Sequence, residues 1–390
     1  MAEYMAACLG DPDHGYYFGR DPFGAAGDFV TAPEISQIFG ELIGLWAVAT
    51  WEAMGAPAAF VLAELGPGRG TLMKDVLRAA RVRAGFSAAA TVVLVETSSH
   101  LRAVQKATLA ESGVAPLWLD RVEALPSGPA IVLANEFFDA LPIRQLVWTG
   151  EGWAERMIGL DDGGTLAFGL RDLAAPPSLA PLAGRGLSPL ASAASLGGKG
   201  EGDAAVHPIE ASRGAAPHPP PPPASRAREL PAPGAVMELR PAADAIMTVL
   251  AERIAKDGGA ALIIDYGHAV SGFGDTLQAL YRHAYDDPLA HPGEADLTAH
   301  VDFAALARAA SAAGAVPTEI IGQGTFLGRL GIAQRAQRLV AGKTGDAAAT
   351  IAAAVERLTT PGQMGTLFKV MAVASAGLAV PGLSEAGAKG

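Results

Sequence analysis

Residues 60–70, FVLAELGPGRG, and the later run TVVLVET at 91–97 limit what this chain can fold into more than any other stretch. The first is an apolar run of strand-forming residues that passes through Glu64 into a glycine-rich turn, and the second ends on Glu96. LMKDVLRAARVR, at 72–83 between them, has helical periodicity. Strand, turn, helix, strand is the repeating unit of an open α/β sheet, whose ligands sit outside the carboxyl ends of the strands. There a glycine-rich turn lets backbone N–H groups and a helix N-terminus approach a ligand. A carboxylate closing the next strand can accept from both hydroxyls of a ribose. The pattern is that of a nucleotide site.

Glycine spacing narrows the choice of nucleotide. Gly66, Gly68 and Gly70 form GxGxG around Pro67, and Thr71 stands where a dinucleotide fingerprint places its third glycine. A turn with no pyrophosphate to cradle suits the compact methionine-plus-adenosine body of S-adenosyl-L-methionine (AdoMet). Gly66 and Gly68 permit close approach, Glu64 can hold the ammonium of the methionine moiety, and Glu96 the ribose. The competing reading is a turn that serves only strand-to-helix packing.

A chain of 390 residues, half of them hydrophobic, exceeds a single comfortable core and calls for one large domain with insertions or for two lobes. Its formal charge of −11 repels phosphate backbones and anionic headgroups, which argues against a nucleic-acid partner. Cys8 is the single cysteine, so neither an intrachain disulfide nor a cysteine metal cluster can form. With no export or import signal at the N-terminus, these features lead to the expectation of a bacterial cytoplasm. No apolar stretch reaches the roughly 18 to 20 residues that span a bilayer, so no membrane insertion is expected, and LIGLWAVATW at 42–51 reads as a buried helix.

Strand-like runs at 59–65, 91–96, 115–119, 129–135, 259–266, 316–321 and 367–375 alternate with helical stretches, among them 100–112 and 242–258. The expectation is a largely parallel sheet covered by helices on both faces. Further strand-like pieces at 143–149, 153–160, 165–169 and 234–239 suggest an antiparallel appendage. Residues 172–234 hold thirteen of the 28 prolines and no Phe, Trp or Tyr, which leaves little to offset the entropy of ordering them. The expected division is an N-terminal helical lid segment at 1–56, the first part of the core with its appendage strands at 57–171, a disordered Pro/Ala/Gly-rich insertion at 172–234, the remainder of the core with a substrate loop at 235–380, and a flexible tail at 381–390.

The fourth core strand leads into AIVLANEFFDALPIRQ, which sets Asn135, Glu136 and Asp139 at a carboxyl strand end beside the predicted nucleotide. Two carboxylates three residues apart can converge on one cation. The alternative is that Asp139 caps a turn before Pro142 and Glu136 is solvated. In GDFVTAPEISQ, Thr31 is expected to cap the following helix, with Pro33 in its first turn and Glu34 three residues on. Capping leaves Gly27 and Asp28 unexplained, and a Gly-Asp-aromatic loop suits a lid beside a cofactor. IIDYGH ends the fifth strand with Asp265, Tyr266 and His268, and the Gly/Pro-punctuated loop 287–303 carries Asp287, His291, Glu294, Asp296 and His300. Their spacing matches no HExxH or comparable metal signature, so no metal is expected.

The motifs DPDHGYY, GDFVTAPEISQIFGELIGLW, ELGPGRGTLMKDVLR, LANEFFDALPIRQ, LIIDYGH, GDTLQALYRHAYDDPLAHPGEADLTAHVDF, QGTFLGRLGI and MGTLFKVM run in order from residue 11 to 371. Together they resemble the AdoMet-dependent methyltransferases of the mitochondrial dysfunction protein A type, whose mitochondrial members are complex I assembly factors that methylate an arginine. The resemblance implies a class I methyltransferase, Rossmann-like α/β fold: a seven-stranded, mostly parallel sheet with an antiparallel appendage and a helical lid. It puts Gly66, Gly68 and Gly70 on the cofactor turn, Glu96 on the ribose and Asp120 beside the adenine. Asn135, Glu136 and Asp139 then face the methyl group. The chain departs from the pattern in the insertion at 172–234 and in an N-terminus that begins close to the first motif.

Arginine methylation is a problem of positioning a poor nucleophile, because a guanidinium keeps its proton up to a pKa above about 12. Glu136 and Asp139 are the expected carboxylates for it, with Asp265 or His268 assisting proton loss. The partner implied is a protein substrate, such as a complex I core subunit. The rival readings are an AdoMet-binding assembly factor that performs no turnover and a nicotinamide-dependent oxidoreductase.

Overall fold

A computed structural model describes residues 1–19, 31–173, 207–208, 231–341 and 345–384. Gly27, Asp28 and most of the insertion expected at 172–234 lie outside the described residues.

Strands form where the apolar runs predict them. β1 (Phe60–Leu65), β2 (Ala90–Val95), β3 (Leu117–Leu119) and β4 (Ala130–Asn135) pair in parallel in the order β3-β2-β1-β4. β1 is buried along its whole length. A strand covered on both faces needs apolar residues at every position, which is why it reads as an unbroken run. Next come β5 (Arg144–Trp148), β6 (Trp153–Leu160), β7 (Leu166–Asp172), β8 (His207–Pro208) and β9 (Val236–Leu239). They make the antiparallel appendage, ordered β8-β7-β6-β5-β9.

The chain returns to the core as β10 (Gly259–His268), parallel to β4. A second appendage departs from the expected loop: β11 (Gln278–Tyr281), β12 (Ala284–Asp286) and β13 (Asp296–Thr298) form a small antiparallel sheet. Its hairpin turn is Arg282-His283, both at positive φ (51° and 63°). Two-residue turns of that geometry favour Asn-Gly, so the sequence carries no turn signal there. β14 (Val301–Asp302) adds to the end of β10.

β15 (Val316–Pro317) and β16 (Ile321–Gly322) replace the single strand expected at 316–321. Both pair with β17 (Phe368–Ala374), and the register slips by one residue between them. Pro317 has no N–H to donate, and the Thr318 hydroxyl takes the Ala372 amide at 2.9 Å, so the strand bulges. With β15 and β16 counted as one broken strand and β14 as an extension at the end of β10, the core sheet has seven strands, of which β17 alone is reversed.

Helices cover both faces. α1 (Ala2–Gly10), α2 (Tyr16–Gly19), α3 (Ala32–Ile35) and α4 (Gln37–Ala53) precede β1, α5 (Thr71–Ala80) and α6 (Ala84–Ala89) follow it, and α7 (Ser99–Thr108) follows β2. α4 and α5 cover one face. On α4, Gly40 and Gly44 bring α5 close, since a Cβ on either would lie within 3 Å of Asp75 or Val76. The helices Pro241–Asp257 and Phe303–Ala312 cover the other face. α1 and α2 pack elsewhere, in a cluster with Ala279 and Leu297 of the second appendage. The Tyr4 hydroxyl bonds the Pro288 carbonyl there at 2.6 Å.

Candidate active site

A cavity of ≈ 300 Å³ opens at the carboxyl ends of β1, β2 and β4, within the size range of small-molecule sites. Glu64, Gly66, Pro67, Gly68 and Glu96 line one side, and Asn135, Glu136 and Phe137 another. Thr31, Pro33 and Glu34 close it from α3, and Met5, Leu9, Tyr17 and Phe18 from the N-terminal helices. Gly66, Gly68 and Gly70 all have positive φ (57°, 52° and 80°), the left-handed region that glycine enters at least cost. A Cβ on Gly66 would also lie 2.8 Å from the Phe137 ring.

Glu64 is buried, and its Oε2 has no hydrogen-bond partner. Desolvation pushes its carboxyl up to about 8, against the Met73 amide. An acid in this state is completed by a cation, and a ligand ammonium is one. Desolvation also raises Glu96, opposed by hydrogen bonds. Its Oε1 accepts from Ser98 N at 2.8 Å and its Oε2 from Gln105 Nε2 at 3.2 Å. An ionised carboxylate offers about four lone-pair sites, so acceptor capacity for a diol remains. The orphaned acid, the Cβ-free cradle and the diol acceptor fit an amino-acid nucleoside such as AdoMet.

Glu136 holds a non-glycine φ of +50°, a strained position of the kind that gathers at functional sites. Its amide is fixed by the Ile264 carbonyl at 2.9 Å. The Glu136 Oε1 accepts from Ala32 N at 3.0 Å and Asn135 Nδ2 at 3.1 Å, so the acid pins α3 over the cavity. Desolvation, with Asp139 adding to it, pushes the carboxyl up to about 7. α3 has a second tie, Thr71 Oγ1 to Glu34 Oε1 at 2.5 Å. Thr31 stands at the N-cap as expected but makes no side-chain capping bond. Glu34 bonds Thr71 instead of closing a capping box.

The other described candidates from the sequence lie outside the cavity lining. Gly70 is the N-cap of α5, its amide on the Pro67 carbonyl at 2.7 Å. Asp120 is exposed and paired with Arg102 at 2.7 Å. Asp139 follows Glu136 by three residues, its carboxyl raised by desolvation. Asp265 is fully buried and accepts from the amides of Phe137 (3.1 Å), Phe138 (2.8 Å) and Tyr266 (2.8 Å), so it braces the turn that carries Glu136. Burial and the Asp139 charge push Asp265 well up. His268 faces Asp302, 3.9 Å away. Burial opposes it, yet the neighbouring His268 ring and Ser271 hydroxyl hold Asp302 down at about 2.

Gln105 escapes the sequence reading. It is fully buried on α7, donates to the Gly68 carbonyl at 2.8 Å and to Glu96, and accepts from Trp118 Nε1 at 2.8 Å. One side chain thereby joins the glycine turn to the strand-end acid. The available signal was an amide four residues after Leu101, on the buried face of the helix. Tyr17 ties the N-terminal helices to the same region, because its carbonyl accepts from Ser98 Oγ at 2.8 Å. Among the described residues, no group of His, Cys, Asp and Glu is arranged to hold a metal, and no helix is long and apolar enough to cross a membrane.

Comparison with known proteins agrees with this geometry. The family model described as "Putative S-adenosyl-L-methionine-dependent methyltransferase" matches residues 42–321. Protein arginine methyltransferase NDUFAF7 homolog, mitochondrial, from Drosophila melanogaster is 37% identical over 96% of this chain and 80% of its own length. Its counterpart from Mus musculus is 35% identical over the same shares. A Burkholderia thailandensis protein solved with S-adenosyl-homocysteine bound superposes with a TM-score of 0.74 at 29% identity, over 99% of this chain and 91% of that one. The mitochondrial relatives overturn the expected bacterial cytoplasm. A lone cysteine rules out an intrachain disulfide and does not say which compartment holds the chain.

Proposed function

The chain belongs to this family of S-adenosyl-L-methionine-dependent methyltransferases, and from that premise we propose that it methylates a guanidinium nitrogen of arginine in a protein. The observation that carries the reading is that Glu136 and the glycine turn at Gly66, Pro67 and Gly68 wall one cavity. Relatives named as protein arginine methyltransferases support the choice of arginine. The family resemblance extends the proposal to a respiratory complex I subunit as the acceptor.

In this reading Glu64 holds the ammonium, Gly66, Pro67 and Gly68 the backbone cradle, and Glu96 the ribose. Bound AdoMet supplies a methyl group already activated by its sulfonium, so the protein's contribution is position and electrostatics. Glu136 supplies both. Two donors occupy its Oε1, and the carboxylate keeps lone pairs for guanidinium N–H groups. A guanidinium arriving there favours the ionised carboxylate, so the proton that desolvation keeps on the acid leaves to water and a charge-assisted pair takes its place. The pair localises positive charge on the nitrogens not attacked, leaving the third as the nucleophile. Asp265 and Asp139 act behind Glu136, the first by gripping the Phe137 and Phe138 amides. The N-terminal segment, whose Met5, Leu9 and Tyr17 line the cavity, acts as a lid that excludes water.

The test is incubation of the purified protein with methyl-labelled AdoMet and a mitochondrial extract, followed by mass-spectrometric mapping. Label on arginine, lost in Glu136→Gln while AdoMet still binds, is the expected result. Label on another residue type, or full activity in the variant, refutes the proposal.

A further inference from the structure

The core sheet sets one aromatic side chain, Tyr266, at the carboxyl end of β10 and outside the cavity lining, that the mechanism above leaves unused. Asn135, on the cavity wall, is the register partner of Ile264 on β10. Tyr266 is two residues further along β10. Residues two apart on a strand share a face, so Tyr266 emerges on the same side of the sheet as Asn135, about 7 Å further toward the carboxyl end. That end is where ligands of open α/β sheets bind.

The ring is held in place. β17 puts Phe368 opposite Tyr266 in register, with the rings 5.8 Å apart, and His300 meets it edge-on at 4.2 Å and 80°. The preceding residue, Asp265, grips the amides of the turn that carries Glu136. Tyr266 nevertheless stays partly exposed, and Tyr285 beside it is 70% exposed. A fixed, partly open aromatic ring on the strand paired with the one that leads into a desolvated carboxyl suits a cation carried on an aliphatic stem. The stem and the planar guanidinium lie on the ring, and the N–H groups reach the acid.

We propose that Tyr266, braced by Phe368 and His300, is an acceptor-binding residue whose ring takes the arginine side chain and steers its guanidinium to Glu136. The inference rests on the arginine reading above. Its test measures initial rates of methyl transfer to a synthetic peptide spanning the arginine that mass spectrometry maps, using the full chain and the variants Tyr266→Leu, Tyr266→Met and Tyr266→Phe. Leu and Met remove the ring, and Met fills the space adaptably should Leu fail to fold. Both are expected to raise the peptide KM roughly 3- to 30-fold, the range of a partly desolvated cation–π contact. Tyr266→Phe keeps the ring and stays within about twofold of the parent, while kcat and the calorimetric AdoMet affinity hold in all three. A parental peptide KM in both ring-less variants overturns the inference alone, as does a parallel loss of AdoMet affinity, which would make the ring a structural prop. A parent protein that transfers no methyl to arginine overturns the function and this inference with it.

Discussion

Replacing Glu136 by Gln is expected to make the ligand-free protein more stable at alkaline pH while removing its activity. Desolvation lifts this carboxyl from an ordinary 4.5 to about 7. A raised folded-state pKa contributes stability that is complete below the unfolded value and is lost as pH rises through the folded one. About two and a half units correspond to roughly 3 kcal/mol at pH 8.5. Glutamine keeps an acceptor for Ala32 N and Asn135 Nδ2 and has no charge to desolvate. Parent and variant should therefore unfold within about 1 kcal/mol of each other at pH 5, diverge progressively up to about pH 7 and hold that gap above it, with the variant higher by roughly 5 °C in Tm at pH 8.5. Glu64 bends both curves equally, while Asp265, which the Glu136 charge also pushes up, adds to the difference with the same sign. Thermal unfolding followed by circular dichroism from pH 5 to 8.5 measures it, and methyl transfer by the same samples should fall by about two orders of magnitude or more. A variant less stable than the parent at pH 8.5, or curves that stay parallel throughout, would refute the claim that Glu136 is a desolvated acid awaiting a cation.

Glu64, held near 8 by burial, must ionise to take an ammonium, so the AdoMet Kd should tighten by up to about tenfold per pH unit between pH 6 and 7.5. Glu64→Gln should flatten that slope in isothermal calorimetry, and a flat slope in the parent would disprove the role. Gly66→Ala forces a side chain into φ +57° and against the Phe137 ring at 2.8 Å. It should cost roughly 1–2 kcal/mol in urea unfolding and weaken AdoMet binding in the same calorimetric assay. Gln105→Leu leaves the Trp118 indole N–H unpaired inside the protein. A loss of roughly 1–3 kcal/mol in urea unfolding is expected, together with weaker AdoMet binding as the Gly68 and Glu96 ties disappear.

The sheet was legible in the sequence because its strands are buried on both faces, and unbroken apolar runs such as FVLAEL and AIVLAN admit few other placements. The glycine turn, Glu96 and Asn135-Glu136 were legible because such residues at strand ends have no packing role. What stayed hidden depends on contacts distant in sequence. Asp120 closes the third strand as a cofactor acid would, yet Arg102 from α7 takes it. Asp265 looks like a free strand-end acid until three backbone amides close on it. The second appendage went unread because Arg282-His283 makes a left-handed turn with no glycine. Thr31 was legible as an N-cap position but not in its bonding, since the Ala32 amide beside it binds Glu136, more than a hundred residues away.

A crystal structure of the protein with S-adenosyl-homocysteine would put the central claim to its most direct test. The account predicts the amino group against Glu64, the ribose hydroxyls on Glu96, and the sulfur turned toward Glu136. Ligand bound elsewhere, or a Gly66–Gly70 turn closed by side chains while the ligand occupies another site, would contradict it.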